Sequence, residues 1–210
     1  MEKHVYFVRH GQSESNADGI YRGREARLTE EGRTQARAVA ARIKRIGVDA
    51  LLSSTFPRTH ETAVIIGDAI GLEPEQNELF GEWAEPTHVI GLHHDEPARK
   101  EARDTIFAKH HDPHYRHADE ETFSELVARA EAALHALDEY PASRICVVTH
   151  GAFLRILVGV MVFGPDFTKK TFHNIFMHFM TTNTGITYVK HTDEVCGWQI
   201  VSWNDQSHFG

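Results

Sequence analysis

The stretch Val5-Tyr6-Phe7-Val8-Arg9-His10-Gly11 decides how this chain is read. Four apolar residues make a strand-length run, and the loop leaving a strand end is a common place for reactive side chains. Here that loop begins with a cation, an imidazole and a residue without side-chain bulk. A histidine so placed can face a bound anion, which makes His10 a candidate nucleophile for phosphoryl transfer. The reading depends on whether the rest of the chain supplies the other parts of such a site.

Working outward, residues 4–8 are the first strand, and the polar residues 11–28 a surface loop with one short helix. Thr29 caps a helix to about Ile46: Ala36, Val39, Ala40, Ile43 and Ile46 recur at helical spacing, and Gly47 stops it. Ala50-Leu51-Leu52 is a second strand, and Pro57 opens a helix carrying Ala63, Ile66 and Ile70 to Gly71. Residues 73–79 read as a short strand. From Phe80 to about Glu121 the chain is rich in Pro, His and charge, with one helix near 98–109. Thr122 to Leu137 is an amphipathic helix, Arg144 to Val148 a buried strand, and residues 152–163 an apolar helix ended by Gly164-Pro165. Ile186–Val189 and Trp198–Trp203 are strands whose short connection predicts antiparallel pairing. Strands alternating with helices predict a three-layer α/β/α fold, with a mostly parallel central sheet and an antiparallel edge strand. One domain over residues 1–210, with a substrate-capping insertion at about 80–120, is the simplest organisation.

With 210 residues, 41% hydrophobic and 25% charged, the chain can bury an ordinary core. Its formal net charge of -8 argues against a general nucleic-acid or membrane-surface binder, while leaving room for a small cationic pocket. Cys146 and Cys196 cannot form a disulfide framework, and Cys146, inside an apolar run, reads as a small buried hydrophobe. No signal-peptide pattern and no bilayer-length apolar stretch are present, so a cytoplasmic protein is expected.

In open α/β sheets ligands bind where strands end and helices begin. Three such junctions carry reactive residues: Arg9-His10, the run Ser53 to Arg58, and Thr149-His150-Gly151. Two arginines and two histidines then meet at one sheet edge. Guanidinium forks match phosphate oxygens, and each charge-assisted hydrogen bond contributes about 1.5–3 kcal/mol. The arginines disfavour protonation of His10, which keeps a lone pair for phosphorus. Its other ring nitrogen should donate to a backbone carbonyl. An imidazolium at His150 would add to the binding of the dianion, and the Gly151 amide at a helix start can donate to it as well.

Val8-Arg9-His10-Gly11-Gln12-Ser13-Glu14-Ser15-Asn16 resembles the N-terminal signature of the histidine phosphatase superfamily, the clan of phosphoglycerate mutase and broad-specificity phosphatases. Tyr21 to Gly32, Ser53-Ser54 through Arg58 to Ala63, Val147 to Gly151, and Asn183-Thr184-Gly185 with Trp198 to Asn204 resemble its later blocks, in the family's order. The resemblance implies a phosphoglycerate mutase-like fold, His10 as the phosphorylated nucleophile, and Arg9, Arg58 and His150 as ligands of the phosphoryl group. Asn16 would be a further contact. No metal or cofactor is implied. The family's proton carrier is a carboxylate between the blocks; Glu82 aligns by its spacing to Pro86 and Gly91, with Glu85 and Glu78 as rivals.

His110-His111-Asp112-Pro113-His114-Tyr115-Arg116-His117 matches no zinc signature, nor does His93-His94, and both read as exposed loop. Phe172 and Phe176, with Phe179 nearby, read as core or interface. The leading function is a metal-independent phosphatase acting on a small phosphorylated metabolite. A mutase and a catalytically weak phospho-ligand-binding module are the alternatives, and a homodimer stays open.

Overall fold

The structure, a computed structural model, describes residues 2–109, 111–192 and 197–210. His110 and Cys196 lie outside the described residues. Six strands form one sheet: β1 (Lys3–Arg9), β2 (Ala50–Ser53), β3 (Glu75–Gln76), β4 (Arg144–Thr149), β5 (Ile186–His191) and β6 (Trp198–Asp205). Their order is β3-β2-β4-β1-β5-β6. The first four run parallel, β5 is antiparallel to β1, and β6 pairs antiparallel to β5 at the edge.

Side chains alternate across a strand, so each central strand divides its residues between two layers. Tyr6 and Val8, with Leu51, Cys146 and Val148, pack against Val39 and Ile43 of α2 (Glu30–Ile46) and Ala63 and Ile66 of α3 (Pro57–Ile70). Val5 and Phe7, with Leu52, Ile145 and Val147, pack against Leu126, Leu134 and Leu137 of α5 (Phe123–Glu139) and Phe153 and Leu157 of α6 (Gly151–Phe163). Burial on both faces is why the runs at 5–8 and 145–148 are apolar without interruption. Each buried Val, Leu, Ile or Phe contributes about 1.5–3 kcal/mol relative to exposure. Cys146 is one of these core residues, and burial pushes its thiol up to about 12.

The helix ends follow their signals. Thr29 accepts from the Gly32 amide, and Gly47, at φ 73°, closes α2 through its N–H to Ile43. Thr122 and Glu125 form a reciprocal cap on α5. The short helix within 11–28 is α1 (Glu14–Asp18), and α4 (Pro97–Ala108) lies in the insertion. Two differences stand out. The strand expected at 73–79 shrinks to the two residues of β3, because Asn77 caps a 3-10 turn over Glu78–Phe80. A further helix, α7 (Lys169–His178), packs Phe172 and Ile175 inward. Among the described residues no helix is long and apolar enough to cross a membrane.

Candidate active site

The strand register creates the site. Arg9 pairs with Thr149 across β1 and β4, and the His10 amide donates to the Thr149 carbonyl at 3.0 Å. The residues that follow, His10 and His150, therefore emerge side by side, with ring centroids 5.2 Å apart. Strand β2 adds the third junction, where the Ser54 amide donates to Val148 at 3.1 Å. From the first turn of α3, Arg58 reaches back and its Nε donates to His10 Nε2 at 3.2 Å.

The tautomer of His10 is fixed from both sides. Its Nδ1 lies 2.7 Å from the Gly11 carbonyl, which only accepts, so the proton is on Nδ1. A guanidinium only donates, so Nε2 carries the lone pair. Burial first, then Arg58 and Arg9, holds the ring well below the ordinary value of 6.5. Arg9 is half-buried; its Nη1 donates to Thr181 O at 2.6 Å, and its Nε has no partner among the described residues. Burial lowers Arg9 to about 10, which leaves it cationic at neutral pH.

His150 is the N-cap residue of α6 and has no exposure. Its Nε2 lies 2.7 Å from Ser54 Oγ, which Thr59 Oγ1 contacts in turn. Burial, then Arg58, His10 and Arg9, pushes this ring well down too. The imidazolium expected at 150 is thus opposed by its surroundings: burial and neighbouring cations act on the ring, and no carboxylate among the described residues offsets them.

A cavity of about 310 Å³ is lined by Arg9, His10, Asn16, Arg58, Glu82 and Gly151 among others, whereas His150 stands behind its wall, packed against the His10 ring. The Glu82 carboxylate accepts from the Ala152 amide at 3.2 Å and the Phe153 amide at 2.9 Å, in the first turn of α6. Arg129 of α5 fastens the segment before it, donating to Leu79 O at 3.0 Å and Gly81 O at 2.8 Å. Glu85 also lines the cavity, but Arg99 binds it with two hydrogen bonds. Glu78 stands at the surface, paired with Arg24. Asn16 Oδ1 is occupied by Ser13 and Asn183, leaving its amide nitrogen for the cavity.

Gly11 does not face the cavity. An added Cβ there would overlap the Gly32 carbonyl at the start of α2, so its smallness serves helix packing rather than anion access. Thr184 takes a left-handed φ of 60°, a strained conformation for a β-branched residue, and its amide holds the Arg9 carbonyl at 2.9 Å. Sequence reading assigned no role to Ser54, Thr181, Thr184 or Arg129. It also passed over Arg155, which lines the cavity; its signal was a spacing of one helical turn beyond Gly151. Phe172 is core as expected, and Phe176, packed against that core, also lines the cavity wall. His93, His94 and Asp95 bring ligand-type atoms within 4.8 Å of one another at the surface, and His93 and His94 both lie near Asp95 carboxylate oxygens.

The sequence profile of the histidine phosphatase superfamily (branch 1) matches residues 5–206, so the chain belongs to that superfamily. A protein from Enterobacter sp. (strain 638), called "Probable phosphoglycerate mutase GpmB", is 32% identical over 97% of this chain and 94% of its own. Its counterpart from Photorhabdus laumondii is 36% identical over 79% of this chain and 78% of its own. Among solved structures, a mycobacterial glucosyl-3-phosphoglycerate phosphatase complexed with VO3 superposes with a TM-score of 0.78 at 22% identity, over 97% of this chain and 100% of that one. The alpha-ribazole phosphatase of Shigella flexneri gives a TM-score of 0.77 at 20% identity, over 96% of each chain. These structures share the α/β fold described above.

Proposed function

We propose that this protein is a metal-independent phosphomonoester hydrolase that works through a phosphohistidine at His10. The observation that carries the reading is the double constraint on that ring: Nδ1 donates to Gly11, and the neutral Nε2 carries its lone pair beside Arg58. Nε2 attacks phosphorus, the N–P bond forms, and the P–O bond to the alcohol breaks. Arg9 and Arg58 hold the equatorial oxygens, whose charge grows in transfer; Arg9 Nε is a donor already free for this. The bound dianion supplies what the free site lacks, and His150 gains a proton as it arrives. Asn16 and the Gly151 amide complete the cradle.

Glu82 is the proton carrier in this scheme. It gives a proton to the leaving alkoxide, then takes one from the water that cleaves the N–P bond. Its place in the cavity favours it over Glu85, which is engaged by Arg99, and Glu78, which is outside. The insertion over 80–120 closes the alcohol side of the cavity through residues of α4.

Assay of an aryl phosphate in chelator, with His10→Ala as control, tests the proposal. Hydrolysis by the unaltered protein and an acid-labile, base-stable phosphoenzyme absent from the variant are expected. An active His10→Ala protein, or loss of activity in chelator, overturns it. The names of the Enterobacter and Photorhabdus relatives favour a second reading, in which phosphohistidine returns its group to substrate instead of water. Transfer of labelled phosphate between phosphoglycerates, without release of inorganic phosphate, would select that reading.

A further inference from the structure

Consecutive side chains of an extended segment point to opposite sides, so neighbouring histidines seldom share a ligand. His93-His94-Asp95 escapes this because the chain turns there, between the 3-10 turn at Thr87–Val89 and α4. Backbone bonds hold the turn. His94 N donates to Gly19 O at 2.9 Å, His93 N to the Glu96 carboxylate at 3.1 Å, and Glu96 N to His93 O at 3.0 Å. The two rings lie together, with centroids 4.1 Å apart.

Both rings press on Gly19, the C-cap of α1 at φ 74°. A Cβ there would lie 2.4 Å from His94 Nδ1 and 2.6 Å from His93 Nε2, so glycine is what admits the pair. The other nitrogen of each ring faces Asp95: His94 Nε2 is 3.3 Å and His93 Nδ1 3.8 Å from its Oδ2. The Asp95 amide donates to His93 Nδ1 at 3.2 Å, so that nitrogen carries a lone pair. Lys100 holds the second carboxylate oxygen, Oδ1, at 3.1 Å, which leaves Oδ2 to the rings. One ligand atom from each residue stands within 4.8 Å of the other two. Ligand atoms about 2.0–2.2 Å from a tetrahedral zinc ion are about 3.3–3.6 Å from one another, so small side-chain rotations close the set. Solvent reaches all three side chains, and water can fill the remaining position.

We propose that His93, His94 and Asp95 form a binding site for a divalent late first-row metal ion such as zinc. Two neutral imidazoles and a carboxylate suit that class, whereas magnesium and calcium take oxygen ligands. None of the three residues lines the catalytic cavity, so the ion takes no part in phosphoryl transfer. Its effect is on the loop. It locks both rings against Gly19, and with them the segment 19–21 that carries Tyr21 to the cavity wall, where the Tyr21 amide donates to Leu92 O at 3.0 Å.

Calorimetric titration of zinc into the metal-free protein tests it. The parent should bind an ion that His93→Ala and His94→Ala each lose. Asp95→Asn should weaken it about tenfold or more, since even a group behind a metal ligand contributes about 10–100-fold. The doubly altered His114→Ala, His117→Ala protein should keep the ion, which separates this site from the other histidine-rich stretch. Zinc should also slow amide exchange at His94 and Tyr21. If a variant misfolds, the parent alone decides: zinc must shift the ring resonances of His93 and His94 rather than those of His111, His114 or His117. No zinc bound below about 0.1 mM overturns the proposal. So does an ion retained by both histidine variants, loss of the ion in the His114, His117 protein, or equal competition from magnesium. Hydrolysis enters none of these readouts, so failure of the phosphohydrolase reading would leave this site standing, and failure of the site would leave that reading untouched.

Discussion

The rings of His10 and His150 stand 5.2 Å apart at 64° to each other, although they lie far apart along the chain. Register puts them there: β1 and β4 are parallel neighbours, and Arg9 lies opposite Thr149. One further residue on each strand lands on the same side of the sheet edge. Ser54 completes the arrangement by fixing His150 Nε2 from the third parallel strand.

Ser54→Ala should therefore damage catalysis without emptying the site. Loss of a buried hydrogen bond to an imidazole costs about 1–3 kcal/mol. A fall in kcat of about tenfold is expected, with KM little changed, and Ser54→Thr should restore part of it. Steady-state kinetics over a range of pH would check this; an equal loss of stability and kcat/KM, with no change in pH profile, would assign Ser54 to packing alone.

Glu82→Gln separates proton transfer from binding. An alkyl phosphate needs its leaving oxygen protonated, so kcat should fall about a hundredfold or more. A nitrophenyl phosphate has a stable leaving anion, and its first step should fall far less. Glu85→Gln should act mainly on KM by releasing Arg99, and Glu78→Gln should change either constant by less than about twofold, as a surface pair contributes little. A larger leaving-group effect for Glu85→Gln would move the proton carrier to that residue.

Both site histidines set an acid limit on stability. Each is held well below 6.5 in the folded chain, chiefly by burial. The unfolded chain therefore binds protons near pH 6.5 that the folded chain refuses. Their contribution is complete above that pH and is lost as pH falls below it, at about 1.4 kcal/mol per pH unit for each ring. His208, lowered for the same reason, adds to the slope. Urea midpoints measured from pH 7 to 5 should decline, and the slope of stability with pH should be shallower by about 1.4 kcal/mol per unit in His10→Gln. Parallel slopes for the two proteins would contradict the burial argument.

Gly11→Ala should destabilise the fold by about 2–3 kcal/mol, because the added methyl meets the Gly32 carbonyl, which a helix start cannot move cheaply. Thermal and chemical unfolding would measure it. A neutral effect would show that α2 can shift away from the loop.

Much of this architecture was legible in the chain. The runs at 5–8 and 145–148 marked central strands because burial on both faces leaves no polar position. Thr29, Gly47, Gly71 and Thr122 marked helix ends because their backbone and side-chain chemistry is local. Helix α7 was not legible: its ten residues mix Lys, His and Asn with two Phe, one Ile and one Met, and only packing against the insertion and α6 tells which face is inside. The strand read at 73–79 was placed but too long: β3 keeps two exposed residues, and the 3-10 turn capped by Asn77 takes the rest.

The sequence by itself determined the layer order of the fold, the superfamily, and four residues that the fold brings together, Arg9, His10, Arg58 and His150, because each sits at a strand exit or first helical turn that local signals define. Tertiary structure alone decided that Glu82 and Glu85 line the cavity while Glu78 stands outside it, that Arg99 engages Glu85, why Gly11 is glycine, and that Arg155 and Arg103 share a wall with no acidic partner among the described residues. These are distances between elements remote in the chain. Such distances come from strand register and helix packing, and no run of neighbouring residues encodes them.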